Sequence, residues 1–431
     1  MKTLFEHAKV LLMDEAGSVL DDAFVAVEGT TISYVGPLPP EGDYSECIDA
    51  TGKLLMPGLV NAHTHVPMTL LRSYGGGCDL DTWLHQYIFP VEEKLDQRAV
   101  RAGTQLALAE LIASGVTCIA DMYMFCDVIA EEVVAAGLSA NLARGLTLFS
   151  EDFDPERHQG FCDMRELAEH WHGRNEGQIL VDACIHGEYT SHPKLWSAVS
   201  AFAKEHALGM HVHLSETRAE QEACLARYGK TPTQVLDDYG IWGTRAIAAH
   251  GVWTTPEDWE VLASRGVTVV HNPVSNLKLG SGMAPIAAMK QAGVRIALGT
   301  DGVASNNSHD LFEEIKLAAL LQSGVTGDPT ALSATEVLRM ATVEGAEALG
   351  RNTGRVAQGY VADLILVDMK RPHLTPCHNL EDTLVFAARG SDVVLNMARG
   401  QIIYRDGVYK TLNFEQTRRE VERYALPLLF G

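Results

Sequence analysis

No two cysteines in the chain are spaced as C-x-x-C: the eight, at positions 47, 78, 118, 126, 162, 184, 224 and 377, follow no regular interval. That argues against a thiolate zinc site and a disulfide scaffold, and leaves most of the cysteines as small buried apolar residues. Basic residues are also scarce, with 34 Lys plus Arg against 56 Asp plus Glu, a formal charge of −22 with histidine neutral. Without a basic patch, counterion release has little to act on, and a nucleic acid is not an expected partner. No uninterrupted run of about 18 apolar residues occurs, so no membrane partner is expected either. The N-terminus, Met1-Lys2-Thr3-Leu4-Phe5-Glu6-His7, has neither the apolar core nor the small-residue cleavage site of a secretory leader, which makes the cytoplasm the expected compartment. A phosphate loop is missing too, because Cys224 stands where the motif ending in Gly229-Lys230-Thr231 needs its first glycine. What the chain does have is histidine, 17 residues of it.

With 46% hydrophobic and 21% charged residues, the composition is that of an ordinary folded protein, and 431 residues suffice for one large domain and a smaller one. Both ends read as short strands. Apolar runs at 9–12, 23–27 and 31–35 are separated by turn residues, and similar runs return at 363–367, 393–397 and 401–404, with Asp406-Gly407 as a hairpin turn. The expectation is a small β-sandwich domain built from both ends, residues 1–56 plus 357–431. Between them, at 57–356, the rhythm changes. Eight short apolar runs, at 59–65, 117–122, 140–148, 179–187, 209–216, 246–251, 267–273 and 295–302, alternate with amphipathic stretches such as 99–113, 195–206 and 311–321. That is the pattern of βα units, and eight of them make an α/β fold of the (β/α)8, TIM-like barrel type.

Barrel chemistry sits at the C-terminal ends of the strands. Ionisable residues gather there: His63 and His65 end the first run, Asp121 the second, His186 the fourth, His213 and Glu216 the fifth, His250 the sixth, His271 with Asn272 the seventh and Asp301 the eighth, while Arg144 lies within the third. In His63-Thr64-His65 two imidazoles at i and i+2 share one face of a strand, as two ligands of one ion must. A lone H-x-H is as readily a pair of hydrogen-bonded or surface histidines, and His211-Val212-His213 offers a second one. There His213, nearer the strand end, is the preferred ligand, and His211 reads as an interior histidine. With Asp301 the set suits Zn²⁺ first and Fe²⁺ or another divalent ion second.

The segments PGLVNAHTH (57–65), HVHLSET (211–217), AHG (249–251), HNPVSNLKL (271–279) and GTDGVASNN (299–307) resemble, in order and over essentially the whole chain, the metal-dependent amidohydrolase superfamily. Within its aminohydrolase branch the chain is most similar to the 5-methylthioadenosine/S-adenosylhomocysteine deaminases. The resemblance implies His63, His65, His213 and Asp301 as metal ligands. It also implies one ion, because two-metal members carry a bridging lysine at the end of the fourth strand and residues 183–187, ACIHG, have none. The implied reaction is hydrolytic deamination at C6 of an adenine nucleoside; deamination of guanine, a pterin, cytosine or an s-triazine is the alternative on the same scaffold. The small-molecule substrate is the one implied partner, and a homo-oligomer is compatible with it.

In that reading Glu216 protonates ring N1 and shuttles a proton, Asp301 accepts the proton of the attacking water, and His250 holds that water in line. The competing role for Glu216 is a helix N-terminal carboxylate. Glu92 would take the ribose hydroxyls, or be an exposed helix-start acid. Arg144 would meet the 5′ substituent, or form a structural ion pair. His186 would contact the purine, and Trp83 would line the pocket. Two departures from the family are visible. Members commonly read PHAPYT where this chain has IHGEYT (185–190), so Glu188 is expected to favour a cationic or hydroxyl-bearing substrate group, and a second substrate arginine has only Arg157 as a counterpart.

Overall fold

The computed structural model describes residues 2–431. Five strands open the chain: β1 (Lys2–Leu11), β2 (Val19–Glu28), β3 (Thr31–Gly36), β4 (Glu46–Asp49) and β5 (Lys53–Pro57). Eight more follow: β6 (Leu59–Thr64), β7 (Val116–Tyr123), β8 (Ser139–Arg144), β9 (Ile179–Gly187), β10 (Gly209–Leu214), β11 (Ala246–His250), β12 (Thr268–His271) and β13 (Arg295–Leu298). Then β14 (Leu364–Asp368), β15 (Val393–Ala398), β16 (Gln401–Arg405) and β17 (Val408–Tyr409) return to the first group.

Strands β6 to β13 correspond one by one to the eight apolar runs and pair in chain order as parallel neighbours. Covered on both faces, they read as continuous apolar runs rather than as an alternation. Along β10, Met210, Val212 and Leu214 pack in the large core shared with the surrounding helices, which leaves His211 and His213 on the opposite face. The third, fifth, seventh and eighth runs continue past their strands because their last residues turn over the barrel mouth. At that mouth a parallel bridge joins Thr64 to Asp301, and the Asp301 N–H donates to the His63 carbonyl at 3.0 Å. The first and eighth strand ends are thereby tied together. Capping boxes at Thr255 with Asp258 and at Ser333 with Glu336 start two of the helices, and Gly266, at φ 66°, ends the first of these.

The two chain ends form one continuous mixed sheet, ordered β17-β16-β15-β14-β5-β1-β2-β3, with β4 beside β1. Its central strands are buried on both faces. Leu55, Leu364 and Leu366 face the sheet's own core with Phe5, Val25 and Leu395, whereas Leu54, Met56, Ile365 and Val367 join the barrel core. Buried Asn396 fastens sheet to barrel by donating to the carbonyls of Ile112 and Val116 at 2.9 and 3.0 Å. After β17 the helical tail lies on the barrel helix Gln97–Ala113, where Arg98 pairs with Glu420 at 2.8 Å, and just before that helix Lys94 donates to the Leu429 carbonyl at 2.7 Å. All eight cysteines are free, but only Cys118, Cys126, Cys184 and Cys224 are buried, so the expectation that most are core residues is corrected. Among the described residues no helix is long and apolar enough to cross a membrane.

Candidate metal centre and its cavity

The hydrogen bonds to the back of each ring decide what the histidines can do at the front. His65 Nδ1 donates to the Met122 carbonyl at 2.5 Å, and His213 Nδ1 donates to the His186 carbonyl at 2.7 Å. A carbonyl only accepts, so the proton sits on Nδ1 and each Nε2 is left with a lone pair for a cation. His63 Nδ1 lies 2.8 Å from His211 Nε2, which makes His211 the interior partner of a ligand rather than a ligand. The fronts converge. His65 and His213 Nε2 are 3.3 Å apart, and Asp301 Oδ1 is 3.4 and 3.2 Å from Nε2 of His63 and His65. The His63 Nε2 atom is buried without a hydrogen-bond partner.

Burial pushes the His63 ring down to about 4 and that of His213 well below the ordinary imidazole value. Burial acts the same way on His65, but Asp301 outweighs it and draws the ring up to about 9. Asp301, whose carboxyl burial alone would raise, is held well below the carboxylate range by His63 and His65. The nest is thus built around positive charge, and a proton on His65 Nε2 and a metal cation are competitors for it. Three imidazoles and one carboxylate fit a divalent ion such as Zn²⁺. The ligand atoms of His63, His65 and His213 lie within 4.8 Å of one another, as do those of His63, His250 and Asp301.

Ser215, His250 and Asp301 have positive φ, at 45°, 77° and 60°. That conformation costs a non-glycine residue on the order of 1 kcal/mol, and here it turns three strand ends into the mouth. His250 donates from Nδ1 to Asn276 Oδ1 at 2.8 Å and presents Nε2 to Glu216 Oε2 at 3.6 Å. Glu216 accepts from the Ser281 hydroxyl at 3.0 Å, and its carboxyl is raised by burial and by the Asp301 charge against the opposing pull of His250. A glutamic acid in such surroundings keeps its proton to higher pH than an exposed one, as a proton carrier must. Asp301 Oδ2 accepts from the hydroxyls of Ser275 and Ser305 at 2.6 and 3.0 Å.

A cavity of about 460 Å³ opens over this group, walled there by His65, His186, His213, Glu216, His250 and Asp301. Its far wall is the helical segment Leu80 to Glu92, widened into a π turn over Trp83–Ile88, with Leu80, Trp83, Leu84, Ile88 and Glu92 on the cavity side. Glu92 is therefore not an exposed helix-start acid: it closes the segment, accepts from the Tyr123 hydroxyl, and is raised by burial. Arg144 lines the cavity and forms an ion pair: its Nε donates to Asp163 at 3.2 Å and its Nη1 to the Gly145 carbonyl at 2.5 Å. His186 lines the cavity with Nδ1 3.0 Å from the Thr190 hydroxyl, and burial lowers its ring to about 3. Asp121 stays behind the wall, accepting from the Val66 N–H and the Thr64 hydroxyl at 2.6 and 2.9 Å and so locking the loop that carries His65.

Two expectations are overturned. Glu188 does not reach the cavity: both of its oxygens face Arg227 Nη2, at 2.8 and 2.7 Å, because the helix Arg218–Tyr228 lays that arginine across it. Arg157 is exposed on the loop after β8 and is not part of the wall.

Ser275, Asn276, Ser281, Ser305 and Glu220 are the residues that sequence reasoning missed. Ser275 and Asn276 sit inside HNPVSNLKL, and Glu220 stands at capping-box spacing after Thr217, the only signal it offers. Its carboxylate reaches beyond the cap to accept the N–H groups of Ser215 and Glu216 at 2.9 and 2.8 Å, so it holds the turn that presents Glu216. In Glu220→Gln the amide can accept only through its oxygen, and its NH₂ is set against a donor. We expect kcat to fall by about tenfold or more with metal content unchanged, the scale of losing a group that orients a site residue. Steady-state kinetics and metal analysis of the same sample check it, and an unaltered kcat would remove Glu220 from the positioning role.

The profile of the Amidohydrolase family matches residues 54–403. Over 430 residues, 99% of this chain and 98% of the relative, the sequence is 42% identical to a 5′-deoxyadenosine deaminase of Methanosarcina mazei. Over 413 residues, 95% and 96% of the two chains, it is 42% identical to a 5-methylthioadenosine/S-adenosylhomocysteine deaminase of Moorella thermoacetica. A zinc-bound crystal structure of an adenosine deaminase from Xanthomonas campestris superimposes with a TM-score of 0.94 at 34% identity, covering 99% of this chain and 98% of its own. Zinc-bound atrazine chlorohydrolase of Arthrobacter aurescens, at 24% identity and a TM-score of 0.91 over 99% of this chain and 100% of its own, is alike in fold.

Proposed function

The chain belongs to the amidohydrolase family, and on that premise we infer that it hydrolyses the C6 amino group of adenine nucleosides, releasing ammonia and the inosine analogue. Full-length relatives named as 5′-deoxyadenosine and 5-methylthioadenosine/S-adenosylhomocysteine deaminases support the substrate class. The observation that carries the reading is the contact of buried His63 with Asp301, and of His65 with Asp301 and His213, beneath a cavity walled by His65, His213, Asp301, Glu216 and His250.

We assign His63, His65, His213 and Asp301 to one divalent ion, Zn²⁺ before Fe²⁺. When bound, the ion supplies the Lewis acidity that makes water a nucleophile at neutral pH. Asp301, with Oδ2 steadied by Ser275 and Ser305, takes a proton from that water, and His250, fixed through Asn276, aligns it. As the C6–O bond forms, Glu216 gives its proton to N1. The proton held by Asp301 then passes to the amino group, the C6–N bond breaks and ammonia leaves, while the proton remaining on the C6 hydroxyl returns to Glu216 and restores both carboxyl groups. Glu92 receives the ribose hydroxyls, Arg144 lies toward the 5′ side, and His186 contacts the purine.

Incubating the purified protein with 5′-deoxyadenosine or methylthioadenosine should release ammonia and shift the adenine absorbance to that of a hypoxanthine. Turnover confined to guanine or a pterin would defeat the reading. Metal analysis should give one ion per chain, since residues 183–187 offer no lysine to bridge a second; two tightly held ions would refute the mononuclear assignment.

A further inference from the structure

We propose that the site is selective for adenine nucleosides whose 5′ carbon carries hydrogen or a small uncharged thioether, and that it discriminates against a zwitterionic amino-acid tail. The proposal rests on the deaminase reading above and concerns the part of the cavity away from the metal nest. Outside the nest, where Asp301 and Glu216 already have their roles, the ionisable wall residues are the carboxyl groups of Glu92 and Glu93 and a single cationic side chain, Arg144. That guanidinium is already engaged, through Nε with Asp163 and through Nη1 with the Gly145 carbonyl. Among the described residues no lysine reaches the wall, and the other arginine near it in sequence, Arg157, is exposed away from it.

A substrate carboxylate would therefore meet one arginine whose charge Asp163 already balances and whose Nη2 alone is without a partner, in a wall that also carries the Glu92 carboxyl, an arrangement that penalises binding. Apolar side chains make up much of the remaining wall, among them Leu84, Ile88, Phe89 and Met124. Thioether and aliphatic side chains receive a methylthio or methyl group through dispersion alone, and methionine adapts to either. Glu188, the residue with which a substrate ammonium could have paired, is occupied by Arg227 behind the wall.

Initial rates of ammonia release by the metal-loaded enzyme with 5′-deoxyadenosine, methylthioadenosine and S-adenosylhomocysteine test this directly. We expect kcat/KM for the first two to exceed that for adenosylhomocysteine by about tenfold or more, mostly through KM. Adenosylhomocysteine turned over as efficiently as either would overturn the inference and leave the deaminase reading intact, whereas no turnover of any adenine nucleoside would overturn both. Asp163→Asn gives a second arm. Removing the charge that occupies Arg144 should raise kcat/KM for adenosylhomocysteine by about threefold or more without a matching gain for 5′-deoxyadenosine, and an equal response of the two substrates would count against the proposal.

Discussion

Replacing Glu216 by glutamine is expected to lower kcat by at least about 10²-fold while the protein keeps its metal, because the amide can fill the same space but cannot pass a proton. The surroundings permit a clean substitution. The Ser281 hydroxyl that donates to Oε1 at 3.0 Å can donate equally to an amide oxygen, and the backbone of residue 216 is held from outside by Glu220. Glu216 is not among the converging ligand atoms of His63, His65, His213 and Asp301, so metal content measured on the same preparation should match the parent. KM for the nucleoside should change little, since the lost interaction belongs to proton transfer rather than to ground-state binding. A variant with full kcat would end the role assigned here, and a variant that lost its metal would turn Glu216 from proton carrier into ligand.

The barrel was legible because parallel strands buried on both faces leave uninterrupted apolar runs, and because strand ends are where such a barrel keeps its ionisable residues. His63 and His65 could be paired at i and i+2 for the same reason. Glu188 and Arg157 were misread because proximity to a strand end in sequence does not say on which side of the wall a loop residue falls. Glu188 is two residues past His186, yet a helix that begins 30 residues later supplies its partner. The supports of the catalytic groups were invisible for a related reason. Ser275 meets Asp301 across 26 residues of sequence, and Ser281 meets Glu216 across 65. Serines carry no pattern that advertises such distant contacts, and only the closure of the barrel brings them in. The small domain was read from turn chemistry and short apolar runs, but the continuity of its sheet depends on β5 and β14 pairing across the whole barrel, a contact with no local signature.

Asp301→Asn should have the larger effect, because one residue serves both the metal nest and the proton transfer. The substitution keeps the shape. The backbone N–H of residue 301 still donates to the His63 carbonyl, so the tie between the first and eighth strands survives, and the hydroxyls of Ser275 and Ser305 can rotate to accept from an amide NH₂. What disappears is the negative charge that faces Nε2 of His63 and His65 at 3.4 and 3.2 Å and the oxygen able to take a proton from water. We expect a folded protein whose metal affinity falls by about 10- to 100-fold and whose kcat, even at saturating Zn²⁺, stays lower by about 10²- to 10⁴-fold. Titrating the variant with Zn²⁺ while following ammonia release separates the two losses. Recovery of the parent rate at high Zn²⁺ would leave Asp301 as a ligand only and require another acceptor for the proton. Set beside Glu216→Gln the pattern is diagnostic: a proton carrier outside the nest loses rate and keeps metal, while a carboxylate that is both ligand and base loses both, and the reverse assignment cannot produce that pair of results.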